Sequence, residues 1–537
     1  MLKVLFTAAE SAPFYKTGGL GDVTYALPKA IKKQGVDIRV AIPFYERKFP
    51  AKYLPKVKNL THFTIEIGGQ PVYVGLKTIK LGDVTYYLID NRQYFDRDGL
   101  YGYWDDGGRF GFFQMAVIEM LQVIEWIPDI IHANDWHTAF IPVLLKEKYG
   151  WIQPYQAIKT QLTIHNLQFQ GWFPPSILDT VFGIGRQSFN DDGFAQDGSV
   201  NWLKGGINFA DLVSTVSPSY AQEIQSPAFG EHLDGTLRKQ SGKLVGILNG
   251  IDDEVYNPAT DPHLTYNYSA KDLKGKAKDK RVLQEEMHLP KRSDPLFAMV
   301  SRLTRQKGAD LLVDALENFL VQNNVQVVIL GTGDRDLEED LLSLQDRFPG
   351  QLAVRIDFDE ALAQRIYAGA DYFMMPSAFE PSGLAQMMAM RYGTLPIVHE
   401  TGGLRDSVTP YNAETGAGTG FSFWDYNAGV LAKILCMAKH VYSDEPKVYA
   451  RLQQQAMAMD FDWHHSAAAY LKGYNRINID IGDTLGSHDN GILSAAFTQK
   501  LKIIVKIPCP QLRIFIIAAS HVRIRENTTC YLIHIPG

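Results

Sequence analysis

The 537-residue chain has few cysteines, no long hydrophobic run and no excess of positive charge. Its three Cys residues, at positions 436, 509 and 530, are too few for a disulfide framework or a four-thiolate zinc site, so we expect a reducing, cytoplasmic compartment. No stretch of 18 apolar residues occurs, which argues against a membrane-spanning helix. The net charge of −6 gives no general attraction for nucleic acid or an anionic membrane surface. Any anionic ligand must therefore be bound by a local cluster of cations.

The chain does have the composition of a folded, multidomain protein. Hydrophobic residues make up 46% and charged residues 21%, and at roughly 150 residues per domain the length predicts several domains. Residues 481–537 differ from the rest: six Lys and Arg against three Asp and Glu give +3, which leaves −9 for residues 1–480. This segment is either a small β-rich appendage or a tail without a selected role, and the sequence leaves both interpretations open.

Short apolar strands alternate with helical patterns in two blocks. Strands are predicted at 4–6, 38–42, 84–89, 130–132 and 161–164, and again at 296–301, 325–330, 353–356, 372–376 and 395–398. This alternation is typical of βαβ units, so we predict an α/β protein with two Rossmann-like, doubly wound domains that face a central cleft. A polar stretch at 267–281 is expected to be a linker and the start of the second domain, and a single helix is expected at 451–474. Because open α/β sheets bind ligands beyond the carboxyl ends of their strands, binding residues should follow strands directly.

Two turns that follow predicted strands carry residue types that bind phosphate. In Lys16-Thr17-Gly18-Gly19-Leu20-Gly21-Asp22 the glycines let a ligand approach the backbone N–H groups before a helix expected from about Val23, and Lys16 adds a positive charge. In the turn at 301–308, Arg302 and Lys307 can converge on a diphosphate. The glycine-rich turn lacks the spacing of a nucleoside triphosphate P-loop or a dinucleotide fingerprint. It could also be an ordinary strand-to-helix turn without a ligand, and the turn at 301–308 could be a solvated basic turn.

Polar residues also follow other predicted strands. The segments at 132–137 and 163–166 contain Asp135, His165 and Asn166, side chains that are costly to bury without partners. In the second block Glu380 stands between Phe and Pro, where its carboxylate can accept hydrogen bonds from sugar hydroxyls, and Thr401-Gly402-Gly403 can offer N–H groups to phosphate. No His-x-x-x-His pattern with a nearby Glu is present, so no metal is predicted.

Together these motifs resemble the bacterial glycogen synthases and plant starch synthases, which are retaining glucosyltransferases of the two-Rossmann GT-B architecture. The resemblance covers residues 1–475, and its motifs stand in the family's order: Lys-Thr-Gly-Gly-Leu-Gly-Asp at 16–22, Asn-Asp-Trp-His at 134–137, Thr-Ile-His-Asn at 163–166, Leu-Asn-Gly-Ile-Asp at 248–252, Ser-Arg-Leu at 301–303, Gln-Lys-Gly at 306–308, Phe-Glu-Pro at 379–381 and Arg-Tyr-Gly-Thr at 391–394. The chain departs from the family at Ser382, where Cys is usual, and at His232, where Gly is usual.

The resemblance implies transfer of glucose from ADP-glucose to the non-reducing 4-hydroxyl of an α-1,4-glucan such as glycogen, with retained configuration and no cofactor. It further implies an acceptor-side domain at 1–255, a donor-side domain at 256–450 and a helix crossing back at 451–480, which leaves 481–537 without a counterpart. The implied catalytic residues are Glu380, His165, Lys307 and Arg302. The implied substrate-binding residues are Lys16, Gly18, Gly19, Asp22, Asp135, Asn166, Asn249, Ser382, Gly383, Leu384, Thr401, Gly402 and Gly403.

Two functions from other classes fit the sequence less well. A non-catalytic glucan or nucleotide-sugar binding protein could keep the same fold, but the joint presence of Lys16, His165 and Glu380 with the basic turn favours an enzyme. A dinucleotide oxidoreductase is disfavoured because no complete glycine fingerprint is followed by an acidic residue about 20 positions later.

Overall fold

The computed structural model describes residues 1–478, 513–518, 521–526 and 529–534. Residue contacts divide the chain into two units, Met1–Asn478 and Ile479–Gly537. The first unit holds two α/β domains with separate sheets and separate hydrophobic cores.

The first domain is built on a large sheet whose central strands are apolar and buried. Its strands are β1 (Lys3–Thr7), β2 (Asp37–Pro43), β3 (Lys58–Ile67), β4 (Gln70–Leu81), β5 (Val84–Asp90), β6 (Ile130–Asn134), β7 (Lys159–Ile164), β8 (Trp172–Phe173), β9 (Ala195–Gln196), β10 (Ser199–Asn201), β11 (Leu212–Thr215) and β12 (Leu244–Gly246). The main sheet has the order β12-β11-β7-β6-β1-β2-β5-β4-β3, and β8, β10 and β9 form a small separate sheet. From β12 to β5 the strands are parallel, whereas β5, β4 and β3 pair antiparallel.

Helices cover the sheet of the first domain, which explains why its parallel strands read as continuous apolar runs. These helices are α1 (Gly19–Lys33), α2 (Arg92–Phe95), α3 (Asp106–Val123), α4 (Ile141–Glu147), α5 (Trp202–Phe209), α6 (Pro218–Glu223) and α7 (Asp234–Lys239). α1 begins four residues before the predicted start at Val23, because the backbone leaves its extended conformation at Gly18. The helical pattern noted at 111–124 belongs to α3, which is buried around almost its whole circumference.

The second domain has a wholly parallel sheet in the order β15-β14-β13-β16-β17-β18. Its strands are β13 (Leu296–Val300), β14 (Gln326–Gly331), β15 (Leu352–Ile356), β16 (Tyr372–Met375), β17 (Leu395–His399) and β18 (Phe421–Phe423). Its helices are α8 (Lys274–Glu286), α9 (Ala309–Gln322), α10 (Arg335–Arg347), α11 (Glu360–Gly369), α12 (Ala385–Arg391), α13 (Gly402–Ser407), α14 (Ala428–Asp444) and α15 (Pro446–Met457). All ten strands predicted in the two domains are present, with ends that agree within two residues.

The chain passes between the domains twice, and the two crossings touch each other. The first passes through Gly250 and Ile251, and the second passes through 458–462. Ile251 N donates to Phe461 O (2.9 Å), and a Cβ on Gly250 would lie 2.7 Å from that oxygen. Glycine is therefore required at 250 by the close approach of the second crossing.

After the second crossing, α16 (Trp463–Ile477) packs on α1 of the first domain. Its Tyr474 hydroxyl forms a hydrogen bond with the buried ring of His132 (2.6 Å). The prediction of one helix at 451–474 is wrong, because α15 ends at Met457 and the Asp462 side chain caps a new helix by accepting a hydrogen bond from the backbone.

The second half of the predicted linker and domain start at 267–281 is α8, which packs into the second domain. Lys276 Nζ donates to Thr394 Oγ1 (2.7 Å), and Lys280 Nζ pairs with Asp371 Oδ2 (2.6 Å). Lys276 and Lys280 are therefore buried and hydrogen-bonded, which composition alone cannot show, whereas the other lysines of the stretch are exposed.

Strands β3 and β4 form a hairpin that was not predicted. Gly68 and Gly69 form its turn, with φ of +57° and +73°, the left-handed conformations that a two-residue hairpin turn requires. This Gly-Gly pair, between segments in which apolar and polar residues alternate, is the local sequence signal for the hairpin.

The second unit contains β19 (Arg513–Ala518), β20 (His521–Glu526) and β21 (Thr529–His534), which pair antiparallel in that order. The remainder of the predicted 481–537 extension lies outside the described residues, so both interpretations of the extension stay open. Within the part of the chain that is described, no helix is long and apolar enough to cross a membrane.

Candidate active site

The predicted motifs meet at the switch points of the two sheets. In the first sheet β1 lies between β2 and β6, and in the second β13 lies between β14 and β16. Loops that leave such neighbouring strands in opposite directions open a crevice for ligands. The glycine-rich turn follows β1, and the segment at 134–137 follows β6. The turn at 301–308 follows β13, and residues 377–384, here called the Glu380 loop, follow β16.

The glycine-rich turn is held in place by Glu10, a carboxylate that the sequence analysis did not single out. Glu10 Oε2 accepts hydrogen bonds from the N–H (2.9 Å) and the hydroxyl (2.7 Å) of Thr17, and Oε1 accepts one from Gly21 N (3.0 Å). Burial raises the pKa of Glu10, although these hydrogen bonds oppose the shift. Gly18 and Gly19 are exposed, and a Cβ on Gly18 would meet no atom within 4 Å. The turn thus presents accessible backbone, as a ligand requires.

Lys16 and Gly19 face the second domain. Lys16 Nζ lies 3.0 Å from Asp22 Oδ1 and 2.8 Å from Oε1 of Glu360, the first residue of α11. A Cβ on Gly19 would lie 3.8 Å from Leu384 Cδ1. Burial alone would lower the pKa of Lys16, but the carboxylates of Asp22 and Glu360 outweigh it and raise the pKa. Lys16 is therefore a cation at neutral pH, held by carboxylates that an incoming anion must replace.

Lys307 and Glu380 form a largely buried ion pair in the second domain. Lys307 Nζ lies 2.5 Å from Glu380 Oε2, and Ser377 Oγ donates to the same oxygen (3.1 Å). The Lys and Glu side chains are only 17% and 8% exposed. Arg302 does not join this pair: it is exposed and makes one long hydrogen bond, to Gln306 Oε1 (3.4 Å). Two of the four predicted catalytic residues, Lys307 and Glu380, are thus in contact. Arg302 lies on the surface of the turn that carries Lys307.

The Glu380 loop turns into α12 through the remaining predicted residues of that motif. Ser382 is buried, and its hydroxyl has no hydrogen-bond partner among the described residues. Gly383 has φ +62°, and Leu384 is the N-cap of α12. A thiol, the group usual at 382 in the family, is a weaker hydrogen-bonding group than a hydroxyl and is less costly to bury without a partner. Asn249, on the first crossing between the domains, is also buried, with Oδ1 unpartnered in the described part of the chain.

The Thr-Gly-Gly turn at 401–403 is already occupied by protein groups. Gly402 N donates to Glu223 Oε1 (2.8 Å), and Gly403 N donates to the carbonyl oxygen of Glu380 (3.0 Å). A Cβ on either glycine would lie 2.0 Å from a carbonyl oxygen of the Glu380 loop. Both glycines are therefore required by this close approach. Phosphate binding by their N–H groups stays a prediction, and it requires that these protein partners move.

Asp135 and His165 are joined at the ends of β6 and β7. Asp135 Oδ1 accepts hydrogen bonds from the N–H groups of His165 (2.7 Å) and Asn166 (3.4 Å), and His165 Nε2 donates to Asn134 Oδ1 (2.9 Å). Burial raises the pKa of Asp135 to about 7 and lowers the pKa of His165 to about 3. His165 is therefore neutral near pH 7, so it can hydrogen-bond a substrate but cannot supply positive charge.

The histidines at the strand ends are engaged in hydrogen bonds or aromatic packing. His132 bonds to Tyr474 and Thr163, and His137 packs among aromatic rings. Among the described residues, one exposed group has side chains that could hold a metal ion, and it stands at the start of α16: Asp460, His464 and His465.

Two family models match the chain, one in each domain. Residues 3–239 match the starch synthase catalytic domain, and residues 283–456 match the glycosyl transferases group 1. The glycogen synthase of Lacticaseibacillus casei (strain BL23) is 90% identical over 477 residues, covering 89% of this chain and 99% of that protein. The glycogen synthase of Lactiplantibacillus plantarum (strain ATCC BAA-793 / NCIMB 8826 / WCFS1) is 59% identical, covering 89% of this chain and 100% of that protein. The fold, the cleft and these matches define a glycosyltransferase.

Among solved structures, the catalytic domain of starch synthase IV from Arabidopsis thaliana bound to ADP and acarbose is similar, with a TM-score of 0.83 and 34% identity. The match covers 89% of this chain and 99% of that chain. The chain belongs to the glycogen synthase family. The predicted family and two-domain GT-B fold are confirmed, whereas the predicted domain boundaries and residue roles stay predictions.

Three carboxylates at the cleft were missed by the sequence analysis. Glu10 follows β1 directly, so the rule that ligand-site residues follow strands could have found it. Glu223 and Glu360 each contact a residue of the other domain. No local pattern marks such a residue, because its partner lies far away in the sequence.

Proposed function

We propose that this glycosyltransferase transfers glucose from ADP-glucose to the non-reducing 4-hydroxyl of an α-1,4-glucan and retains the anomeric configuration. The observation that carries the proposal is a cation paired with carboxylates at each switch point. Lys16 has this arrangement in the first domain, and Lys307 has it in the second. The starch synthase relative was bound to ADP, which is the leaving group that the proposal requires.

The proposed cations act on the leaving group. As the bond between glucose and diphosphate breaks, negative charge develops on the departing ADP. Lys16 can exchange a carboxylate partner for phosphate, and Lys307 can bind phosphate with a second N–H donor while it keeps Glu380. The exposed Arg302 can add a bidentate contact. Such preorganised charges stabilise a transition state most strongly where water is excluded. The accessible backbone at Gly18 and Gly19, at the start of α1, can supply further N–H groups.

Glu380 is assigned to binding the donor glucose and stabilising charge. Retaining glycosidases use a carboxylate nucleophile about 5–5.5 Å from an acid. The Glu380 carboxylate instead binds Lys307 and Ser377, which fixes its orientation. We therefore propose front-face attack by the acceptor, assisted by the leaving phosphate. The remaining roles go to two sets: Asp22, Asp135, His165 and Asn166 for the sugars, and Asn249, Ser382, Gly383, Leu384, Thr401, Gly402 and Gly403 for the donor. Gly402 and Gly403 serve the donor by supporting the Glu380 loop, because their N–H groups already donate to Glu223 and Glu380.

A donor competition assay tests the proposal. The full chain is incubated with glycogen and equal concentrations of ¹⁴C-labelled ADP-glucose and ³H-labelled UDP-glucose, and both labels are counted in the precipitated polymer. We expect ¹⁴C to exceed ³H at least about tenfold, the ratio given by about 1.4 kcal/mol of differential transition-state binding. Preference for UDP-glucose would contradict the donor assignment. Absence of both labels with well-folded protein would instead support the non-catalytic binding protein.

A further inference from the structure

Two short helices, one from each domain, cap each other across the domain boundary. α6 follows β11 in the first domain, and α13 follows β17 in the second. Gly402 N, at the start of α13, donates to Oε1 of Glu223 at the end of α6 (2.8 Å). Ser219 N, in the first turn of α6, donates to Oδ2 of Asp406 near the end of α13 (2.7 Å), and the Ser219 hydroxyl donates to Oδ1 (2.6 Å). Each helix thus supplies a carboxylate for unpaired N–H groups at the start of the other.

A further contact connects this helix pair with the Glu380 loop. Ser217 is the N-cap of α6, and its buried hydroxyl donates to Pro381 O (2.6 Å). On its other side the loop is held by Gly403 N, which donates to the carbonyl oxygen of Glu380 (3.0 Å). The first domain therefore holds the backbone at 380–381 both directly and through the turn at 401–403. We call the residues that make these contacts across the boundary the interdomain latch: Ser217, Ser219, Glu223, Pro381, Gly402 and Asp406.

We propose that Glu223 and Asp406 are positioning residues, whose contacts form as the domains close and hold the Glu380 loop in its catalytic position. The inference rests on the proposed function, because positioning of Glu380 matters only if this cleft is the active site. Each hydrogen bond of the latch joins groups from different domains, so none can persist when the domains separate. The latch therefore stabilises only the closed state, in which water is excluded and the catalytic groups from both domains are assembled.

Domain closure affects the reaction through the position of the Glu380 backbone. The same residue presents its carbonyl oxygen to Gly403 N and its carboxylate to Lys307. A shift of the turn at 401–403 would therefore move the backbone that carries the Lys307–Glu380 pair. Because misplacement of a reacting group by about 1 Å can cost roughly a hundredfold in rate, loss of the latch should act mainly on kcat.

The test compares Glu223→Ala, Glu223→Gln and Asp406→Ala, each in the full chain. Gln222→Ala is the matched control, because Gln222 is exposed on the same helix. We expect Glu223→Ala to lower kcat by about tenfold or more, with KM for ADP-glucose changed by less than about threefold. Glu223→Gln should recover a substantial part of kcat, since its amide oxygen still accepts the hydrogen bond from Gly402 N. The control should stay within about twofold of the wild type.

A double variant tests whether the two carboxylates act as one latch. Glu223→Ala/Asp406→Ala should be only slightly slower than the slower single variant, because either change already opens the contact. Multiplicative effects of the two changes, or a Glu223→Ala kcat within about twofold of the wild type, would overturn the proposal. Thermal unfolding of each variant is the control that tests whether the variant is folded.

Small-angle X-ray scattering separates failure of the latch from failure of the proposed function. With saturating ADP, the wild type should have a smaller radius of gyration than Glu223→Ala, and the control should match the wild type. Equal radii for the wild type and Glu223→Ala would overturn the latch, whatever the activity. If the wild type incorporates no glucose, the proposed function fails, while the radii still decide whether the latch closes the domains.

Discussion

The buried Lys307–Glu380 pair predicts that one substitution will lower both stability and turnover. In Lys307→Ala the Glu380 carboxylate keeps the Ser377 hydroxyl as its side-chain partner. Removal of one member of a buried ion pair costs about 3–5 kcal/mol. Because the Lys307 side chain is 17% exposed, water can reach part of the site, and we expect a loss of about 2–3 kcal/mol in the free energy of unfolding.

Turnover should fall for a separate reason, because Lys307 is proposed to stabilise charge on the departing diphosphate. Loss of one preorganised group at a developing charge lowers kcat by about 10²–10³, or roughly 3–4 kcal/mol. The double variant Lys307→Met/Glu380→Gln removes both charges but keeps similar shapes. It should recover most of the stability lost in Lys307→Ala and none of the turnover, since the cation remains absent.

Arg305→Ala is the matched control for Lys307→Ala. Arg305 lies in the same short turn and pairs with Asp336 (2.8 Å), but both of these side chains are more than half exposed. Such a surface pair is worth less than about 1 kcal/mol, so stability and turnover should be nearly unchanged. ADP release gives kcat, and urea unfolding gives the free energy. If Lys307→Ala keeps kcat within about tenfold of the wild type and loses less than about 1 kcal/mol, the reasoning is refuted.

Substitutions at three further positions test single features of the structure. Burial raises the pKa of Asp135 from 3.8 to about 7, so its ionisation opposes folding as pH rises from about 4, and the penalty is complete above about pH 7. The melting temperature of Asp135→Asn relative to the wild type should therefore increase between about pH 4 and 7 and level off above pH 7, and a constant difference would contradict the assignment. Ser382→Cys replaces a buried, unpartnered hydroxyl, so urea unfolding should show a gain of about 1 kcal/mol with activity retained, whereas a loss would show that the hydroxyl is satisfied. His232 has φ +64°, so His232→Gly should leave stability unchanged or raise it by up to about 1 kcal/mol, and His232→Val should lower it by about 1–2 kcal/mol; equal melting temperatures for the two variants would exclude backbone strain.

The strands and the position of the cleft could be predicted because their signals are local. A parallel strand covered on both faces is a continuous apolar run, and residues that follow it reach the ligand edge of the sheet. This reasoning located Lys16, Lys307 and Glu380 in separate motifs. It could not predict that Lys307 and Glu380 form an ion pair, because their distance depends on how the turn after β13 packs on the loop after β16.

The contacts that join the domains could not be predicted from local patterns. Nothing in the local sequence marks Glu223 or Glu360, and only the packing of the two domains brings them to Gly402 and Lys16. At 401–403 the local prediction was incomplete for the same reason. A Gly-Gly turn after a strand is typical of phosphate binding, yet close approach to the Glu380 loop also requires glycine at both positions.

His232 shows how a departure from the family pattern acquires a physical meaning. Its φ of +64° lies in the left-handed region, where glycine carries no Cβ penalty. The usual Gly at this position is therefore explained by the backbone conformation.

The most direct test of the central claim is the position and linkage of newly added glucose. The full chain is incubated with glycogen and ¹⁴C-labelled ADP-glucose, and the washed polymer is digested with β-amylase, which removes maltose from the non-reducing ends of α-1,4-glucans. We predict that the label leaves the polymer as maltose and that one ADP is released for each glucose incorporated. ADP release without labelled polymer, or label that resists β-amylase, would contradict transfer to the non-reducing 4-hydroxyl of an α-1,4-glucan.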